Sequence, residues 1–228
     1  MHSKILSSSV LSFALACSAS FESRAADNPQ ERVGIEHNIY LDCLMRNGGG
    51  TTKESLRMLV ERCKFDPGIP VDEFVEIYAG LLVDDLSLNV AERMKPYRSL
   101  YNEEQFAFFD RIDQALASSA TPAEADRALA DLEQEAIASF PGRDDAEASL
   151  LALLSTARHS LAFWTAAGSP LLEDRKGGVE AQRLRWWQKV LIVLGADVAG
   201  AGIGFLVGGP IGAGAIGAGA SSGTGSAL

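Results

Sequence analysis

Positive charge is scarce in this chain. Twenty lysines and arginines stand against 30 aspartates and glutamates, a formal net charge of −10 over 228 residues. That shortage disfavours nucleic acid as a partner, because phosphate binding needs a basic face. It also disfavours a broad attraction to anionic lipid. Histidine and cysteine are equally sparse, at three each. With so few imidazoles and no Cys-x-x-Cys, no metal site and no cofactor is expected. No run alternates apolar and polar residues long enough to read as a strand, so no sheet is expected either. A catalytic constellation is missing as well. His159 and Ser160 are neighbours in sequence, but neighbours on a helix point roughly 100° apart. Asp84-Asp85 and Asp144-Asp145 read as helix caps or solvated helix ends rather than a working carboxylate pair. Gly202-Ile203-Gly204 fails as a phosphate loop, since no Lys-Ser or Lys-Thr follows and no strand precedes it. The chain reads as a non-enzymatic protein.

Charge nearly vanishes after Lys189: the last thirty-nine residues carry Asp197 alone, and hold twelve of the 22 glycines. Gly200, Gly204, Gly208 and Gly212 recur every fourth residue, a spacing that makes a flat ridge on a helix where another backbone can approach closely. Val190 to Gly209 has the twenty-residue length of a membrane span. Trp186 and Trp187, flanked by Arg183, Arg185 and Lys189, suit a headgroup layer. Ten strongly apolar residues favour insertion by roughly 3 to 6 kcal/mol, while a deep Asp197 costs up to about 3 kcal/mol. Insertion as a lone helix is therefore marginal. Packing against another glycine ridge hides the carboxylate and improves that balance. The expected partners are a membrane, or further copies of the chain through this arm, with a homo-oligomer as one outcome. Pro210 ends or kinks the helix at Gly209, and Ile211 to Ala220 is too short to span back. The plainer alternative is a Gly/Ala tail that packs on its own domain or stays disordered. The tail resembles the glycine-zipper segments of bacterial envelope proteins and of pore-forming or bacteriocin-type peptides. The resemblance covers the last forty residues only and implies membrane association or self-assembly.

The N-terminus points to export. Residues 1–26 read as a signal peptide: His2 and Lys4 make a weak basic start, Ile5 to Ala16 an apolar core, and Ser23-Arg24-Ala25 a cleavage site. Removing Lys4, Arg24 and Glu22 (net +1) takes the mature chain from −10 to −11. Ala14-Leu15-Ala16-Cys17 resembles the lipobox of bacterial lipoproteins, although Ala14 stands where that family usually has leucine. Cleavage near Ala25 fits better. The expected location is the periplasm or cell envelope, through lipidated Cys17 in the lipoprotein case, or outside the cell. In an exported chain the basic cluster before the tail opposes the positive-inside bias, which argues against a stable inner-membrane anchor.

Between signal and tail the chain reads as helices. Ile35, Ile39 and Cys43, widened by Tyr40 and Leu44, form an apolar stripe ending near Asn47. Gly48-Gly49-Gly50 breaks it, and Thr51 with Glu54 forms a capping box for a helix carrying Leu56, Leu59, Val60 and Cys63. An antiparallel pair joined at the glycines brings Cys43 opposite Cys63. In an oxidising compartment the two form a candidate disulfide, contributing roughly 3 kcal/mol by loop closure; two buried thiols are the alternative. The order Tyr-Leu-Asp-Cys, glycine turn, Cys-Lys-Phe resembles a Cys-paired helical hairpin of exported bacterial proteins, which implies export and a disulfide but no activity. Further helices are expected over Val71–Val83, from Asn102, from Thr121-Pro122 to about Ser139, and over about Asp145–Ala166.

The expected architecture is all-α. It comprises a helical bundle over 28–167 with a disulfide-linked hairpin, a linker over 168–178, and a hydrophobic Gly/Ala-rich arm over 179–228. Trp186, Trp187, Asp197, Gly200, Gly204, Gly208 and Gly212 are its candidate membrane or assembly residues. Two other functions stay open. One is a carrier for a Gly-rich antimicrobial tail released near Gly177-Gly178, as double glycines precede bacteriocin peptides. The other is a periplasmic hydrolase built on His159 and a carboxylate in a concave pocket.

Overall fold

A computed structural model describes residues 27–82, 85, 87–166 and 180–227, without the side chains of 180–186, 211 and 224–227. The signal peptide, Cys17, Asp84, Gly177-Gly178, the 168–178 linker and the Trp186 side chain lie outside the described residues. The described chain is all-α.

Eight helices and one 3-10 turn follow in order: α1 (Glu31–Arg46), α2 (Thr52–Glu61), α3 (Val71–Leu81), α4 (Val90–Met94), a 3-10 turn (Lys95–Leu100), α5 (Glu103–Ser118), α6 (Pro122–Ser139), α7 (Asp145–Thr165) and α8 (Glu180–Ala227). Their starts follow local chemistry. Thr51 and Glu54 cap α2 reciprocally, as do Asn89 and Glu92 for α4 and Asn102 and Gln105 for α5. Thr121 accepts from the Glu124 backbone N–H, with Pro122 opening α6. Asp144 caps α7, and Asp85 accepts from the backbone and hydroxyl of Ser87, contacts that hold its carboxyl below the usual range. Asp144 thus takes the capping role, and Asp85 is a solvated turn residue.

A disulfide joins Cys43 to Cys63 across the glycine turn, with Cα atoms 5.8 Å apart. Gly48, Gly49 and Gly50 all take positive φ there, which only glycine does without strain. The stripe read on α1 is corrected: Ile35 and Ile39 are 46% and 61% exposed, whereas Val33, Gly34, His37, Leu41 and Leu44 are buried. The inward face combines Val33, Leu41 and Leu44 with Gly34, where the α7 backbone at Ser155 comes close.

The element that buries most of this surface is α8. It runs against α1, α2, α7 and α4, and touches α3 and α5. Gly209, at φ 64°, breaks it into limbs over 180–208 and 210–227. The limbs fold back on each other, and Trp187, Val190, Val193, Leu194, Val198, Ile203 and Ile216 share one continuous core with Leu41, Leu56, Phe109, Leu150 and Trp164. The separate arm is thus corrected: its apolar residues supply the centre of the fold, because amphipathic helices around them offer the dry surface they need. The break expected at Gly209 before Pro210 is present, and the chain beyond it is helical to Ala227.

Candidate functional site

The glycine ridge is where the two limbs meet. A Cβ at Gly204 would lie 2.8 Å from Ile216 Cβ, 3.0 Å from the Gly212 carbonyl and 3.1 Å from Ala213 Cα. At Gly200 it would meet Ala220 Cβ at 2.9 Å and Gly217 Cα at 3.0 Å. Real Cβ atoms do not come so close, so the limbs approach each other only because these residues are glycine. Gly212 returns the contact, its Cβ position lying 3.0 Å from the Gly204 carbonyl. Gly208 differs: it faces the Tyr78 hydroxyl on α3, 2.6 Å from its Cβ position. A second set of glycines admits the body. Gly214 meets the α1 backbone at Val33 and His37, Gly219 meets Leu56, and Gly223 meets Thr52.

Asp197, the one charge after Lys189, is fully buried. Its Oδ2 accepts from the Ser160 hydroxyl and, at 3.0 Å, from Trp164 Nε1, both on α7. Its Oδ1 lies 3.0 Å from Nε2 of His37 on α1, which is also fully buried. A carboxylate in an apolar core needs such donors; Ser160 and Trp164 supply them to Oδ2, whereas Oδ1 and His37 Nε2, though close, form no hydrogen bond with each other. Sequence reasoning missed His37 and Trp164. The one available signal was that an aspartate in an uncharged segment needs a cation, and His37 and His159 were the only imidazoles outside the signal peptide.

A second polar contact ties α7 to the first limb. Ser149 Oγ donates to the Gly202 carbonyl at 3.2 Å and shares a 2.8 Å hydrogen bond with Tyr101. Burial pushes the Tyr101 phenol up to about 12, partly countered by that bond. Trp187 is buried too, donating from Nε1 to the Ser119 carbonyl at 3.0 Å rather than facing outward. Together these contacts fix the hairpin at three heights.

The residue types at Asp197 are those of nucleophilic catalysis, but their order is not. Ser160 donates to Asp197 and not to His37, so no Ser–His–Asp relay is formed. The cluster is also closed to solvent. His159 points elsewhere, pairing with Glu31 at 2.8 Å while partly exposed. Among the described residues no group of three or more His, Cys, Asp or Glu is placed to hold a metal ion.

Trp187–Pro210 is long and apolar enough to cross a membrane, yet 78% of its most apolar 18 residues, with mean hydropathy 2.2, is buried inside the protein. No protein-family model, no curated protein and no solved structure matches this chain.

Proposed function

We propose that this is an exported, non-enzymatic helical protein that stores a glycine-zipper hairpin inside its fold and delivers it to a membrane, where hairpins associate further. The observation supporting this is that the hairpin is self-contained. Its limbs pack on each other through Gly200, Gly204 and Gly212, an interface made between residues of the hairpin itself. At 1.5 Å per residue, 187–208 extends about 33 Å and 210–227 about 27 Å, close to the roughly 30 Å hydrocarbon core of a bilayer. Both limbs keep their backbone hydrogen bonds internal, as lipid demands. The outer face, now covered by α1, α2 and α7, exchanges protein contacts for acyl chains. Since α8 supplies the core, delivery opens the body and is a switch, not the resting condition.

Tying the second limb to α1 tests this reading. A Cβ at Gly214 lies 3.2 Å from Glu36 Cβ, a few tenths short of the roughly 3.5–4.5 Å that a disulfide needs. The Glu36→Cys, Gly214→Cys double variant should cross-link and lose association with phospholipid vesicles, measured by flotation beside the two single variants. Vesicle association that is undiminished in the cross-linked chain would refute delivery of the hairpin.

A further inference from the structure

On the outward face of α1 large apolar residues stand together in water. Among the described residues, Ile35 and Ile39 are the two exposed large hydrophobics that sit one turn apart on a single helix. Side chains three and four positions apart are neighbours on a helix surface, so Arg32, Ile35, Ile39, Asp42 and Arg46 form one stripe. It lies opposite the buried face of Val33, His37, Leu41 and Leu44. The charges of the stripe pair along their own helix. Arg32 Nε donates to Glu36 Oε1 at 2.6 Å, and an Arg46 guanidinium nitrogen lies 2.9 Å from Asp42 Oδ2. Both pairs are open to water, with the Arg32 side chain 87% and the Arg46 side chain 77% exposed. Such surface pairs contribute little and exchange partners at little cost.

We propose that this stripe is the interface of a homodimer, with α1 of a second copy laid antiparallel across it. The charge order selects that occupant. A two-fold axis passing beside His37 sets Ile35 against the partner's Ile39 and Arg32 against the partner's Asp42, each contact occurring twice. At 1.5 Å per residue, Ile35 and Ile39 stand about 3 Å along the helix on either side of that axis, and Arg32 and Asp42 about 7.5 Å. Both contacts therefore share one register. Parallel copies would set Arg32 against the partner's Arg32 and Asp42 against the partner's Asp42, like charge on like. Lipid fits the face less well, because Arg32, Glu36, Asp42 and Arg46 cancel in charge and offer an anionic headgroup no net attraction. The seam is one helix long, at the small end of protein interfaces, so the dimer is reversible with a Kd of roughly 0.1 mM. It uses no residue of α8, and so stands apart from delivery of the hairpin.

Sedimentation equilibrium of the purified full chain, from about 10 μM to about 1 mM, reads the association directly. The expected weight-average mass climbs from that of a monomer toward twice that value. Ile39→Asp changes an exposed position, so it should keep the circular dichroism spectrum and stay monomeric. Arg32→Asp sets carboxylate against carboxylate at both ends of the seam, and Asp42→Arg sets guanidinium against guanidinium. Each alone should weaken the dimer about tenfold. Mixed in equal amounts, the two single variants regain both opposite-charge pairs and should associate with each other about as tightly as the unaltered chain does with itself. A chain still monomeric at about 1 mM overturns the proposal. So does an Ile39→Asp variant that dimerises, or a mixture no tighter than its separate components. Should Ile39→Asp not fold, the mixture decides alone. Flotation with phosphatidylcholine vesicles that Ile39→Asp abolishes, while the unaltered chain stays monomeric, assigns the face to lipid and overturns the dimer equally.

Discussion

Two glycines on the first limb give a paired test of how the hairpin is built. Gly204 faces the second limb, where an added methyl meets Ile216 Cβ at 2.8 Å and two backbone atoms at 3.0 and 3.1 Å. Backbone on a packed helix cannot yield, so overpacking of about 1–3 kcal/mol is expected. Helix propensity acts the other way, since alanine is favoured over glycine by about 1 kcal/mol within a helix. The net effect of Gly204→Ala is a loss of up to about 2 kcal/mol. Gly195 has nothing within 4 Å of its Cβ position and lines a cavity of about 230 Å³ with Leu116, Leu191 and Ile192. There the propensity term stands alone, so Gly195→Ala should stabilise by about 0.5–1 kcal/mol. The difference between the two variants, about 1–3 kcal/mol, cancels their shared chemistry. Urea denaturation of both, with equal m-values, reads it out. Equal stabilisation by the two substitutions would refute packing of the limbs through the glycine ridge.

Other perturbations reach the body. Tyr101 is pushed up to about 12 by burial, so the folded chain keeps a proton that an unfolded tyrosine loses near pH 10. The stability this contributes is fully present below pH 10 and is lost as pH rises through 12, by about 3 kcal/mol in all; urea midpoints should fall across that window, and less steeply in Tyr101→Phe. Replacing both Cys43 and Cys63 by serine opens a loop closed over a separation of 20 residues and should cost about 3 kcal/mol of unfolding free energy by equilibrium denaturation, leaving helix content unchanged.

Much of the fold was legible because its rules are local. Thr51 with Glu54, Asn102 as a cap and Thr121-Pro122 announced three helix starts, and the glycine turn announced the cysteine pairing. Asn89-Val90-Ala91-Glu92 is an equally good capping box, but the five-residue α4 it opens offers too few turns for periodicity to register. On α1 the pattern misled in part: Leu44 is buried as read, but Ile35 and Ile39 are exposed and the inward face carries Gly34 and His37. That choice is made by the second limb, whose Gly214 needs the α1 backbone within about 3 Å, something no pattern within α1 can reveal. The tail was legible as a glycine-lined helix with an awkward aspartate. Composition states that such a segment needs dry surroundings but not what provides them. The imidazole beside Asp197, that of His37, lies 160 positions earlier in the chain, a neighbour set by topology alone.

Because the glycines divide into two sets, storage and delivery can be separated by mutation. Gly200, Gly204 and Gly212 hold limb to limb, a contact present both in the stored hairpin and in a delivered one. Gly214 holds limb to body: its Cβ position lies 3.0 Å from the Val33 carbonyl and 3.0 Å from the His37 N–H, a contact that exists only in storage. Gly214→Ala should therefore weaken the stored state by overpacking, about 1–3 kcal/mol against a propensity gain of about 1 kcal/mol, and leave the delivered hairpin better off by that same gain. Gly204→Ala damages both states alike. In vesicle flotation the two variants should part: Gly214→Ala increases association, while Gly204→Ala leaves it unchanged or lowers it. Were association to track solution stability alone, rising equally for any destabilising glycine substitution, the hairpin would be entering lipid as an unfolded segment rather than as the packed pair of helices the glycines build.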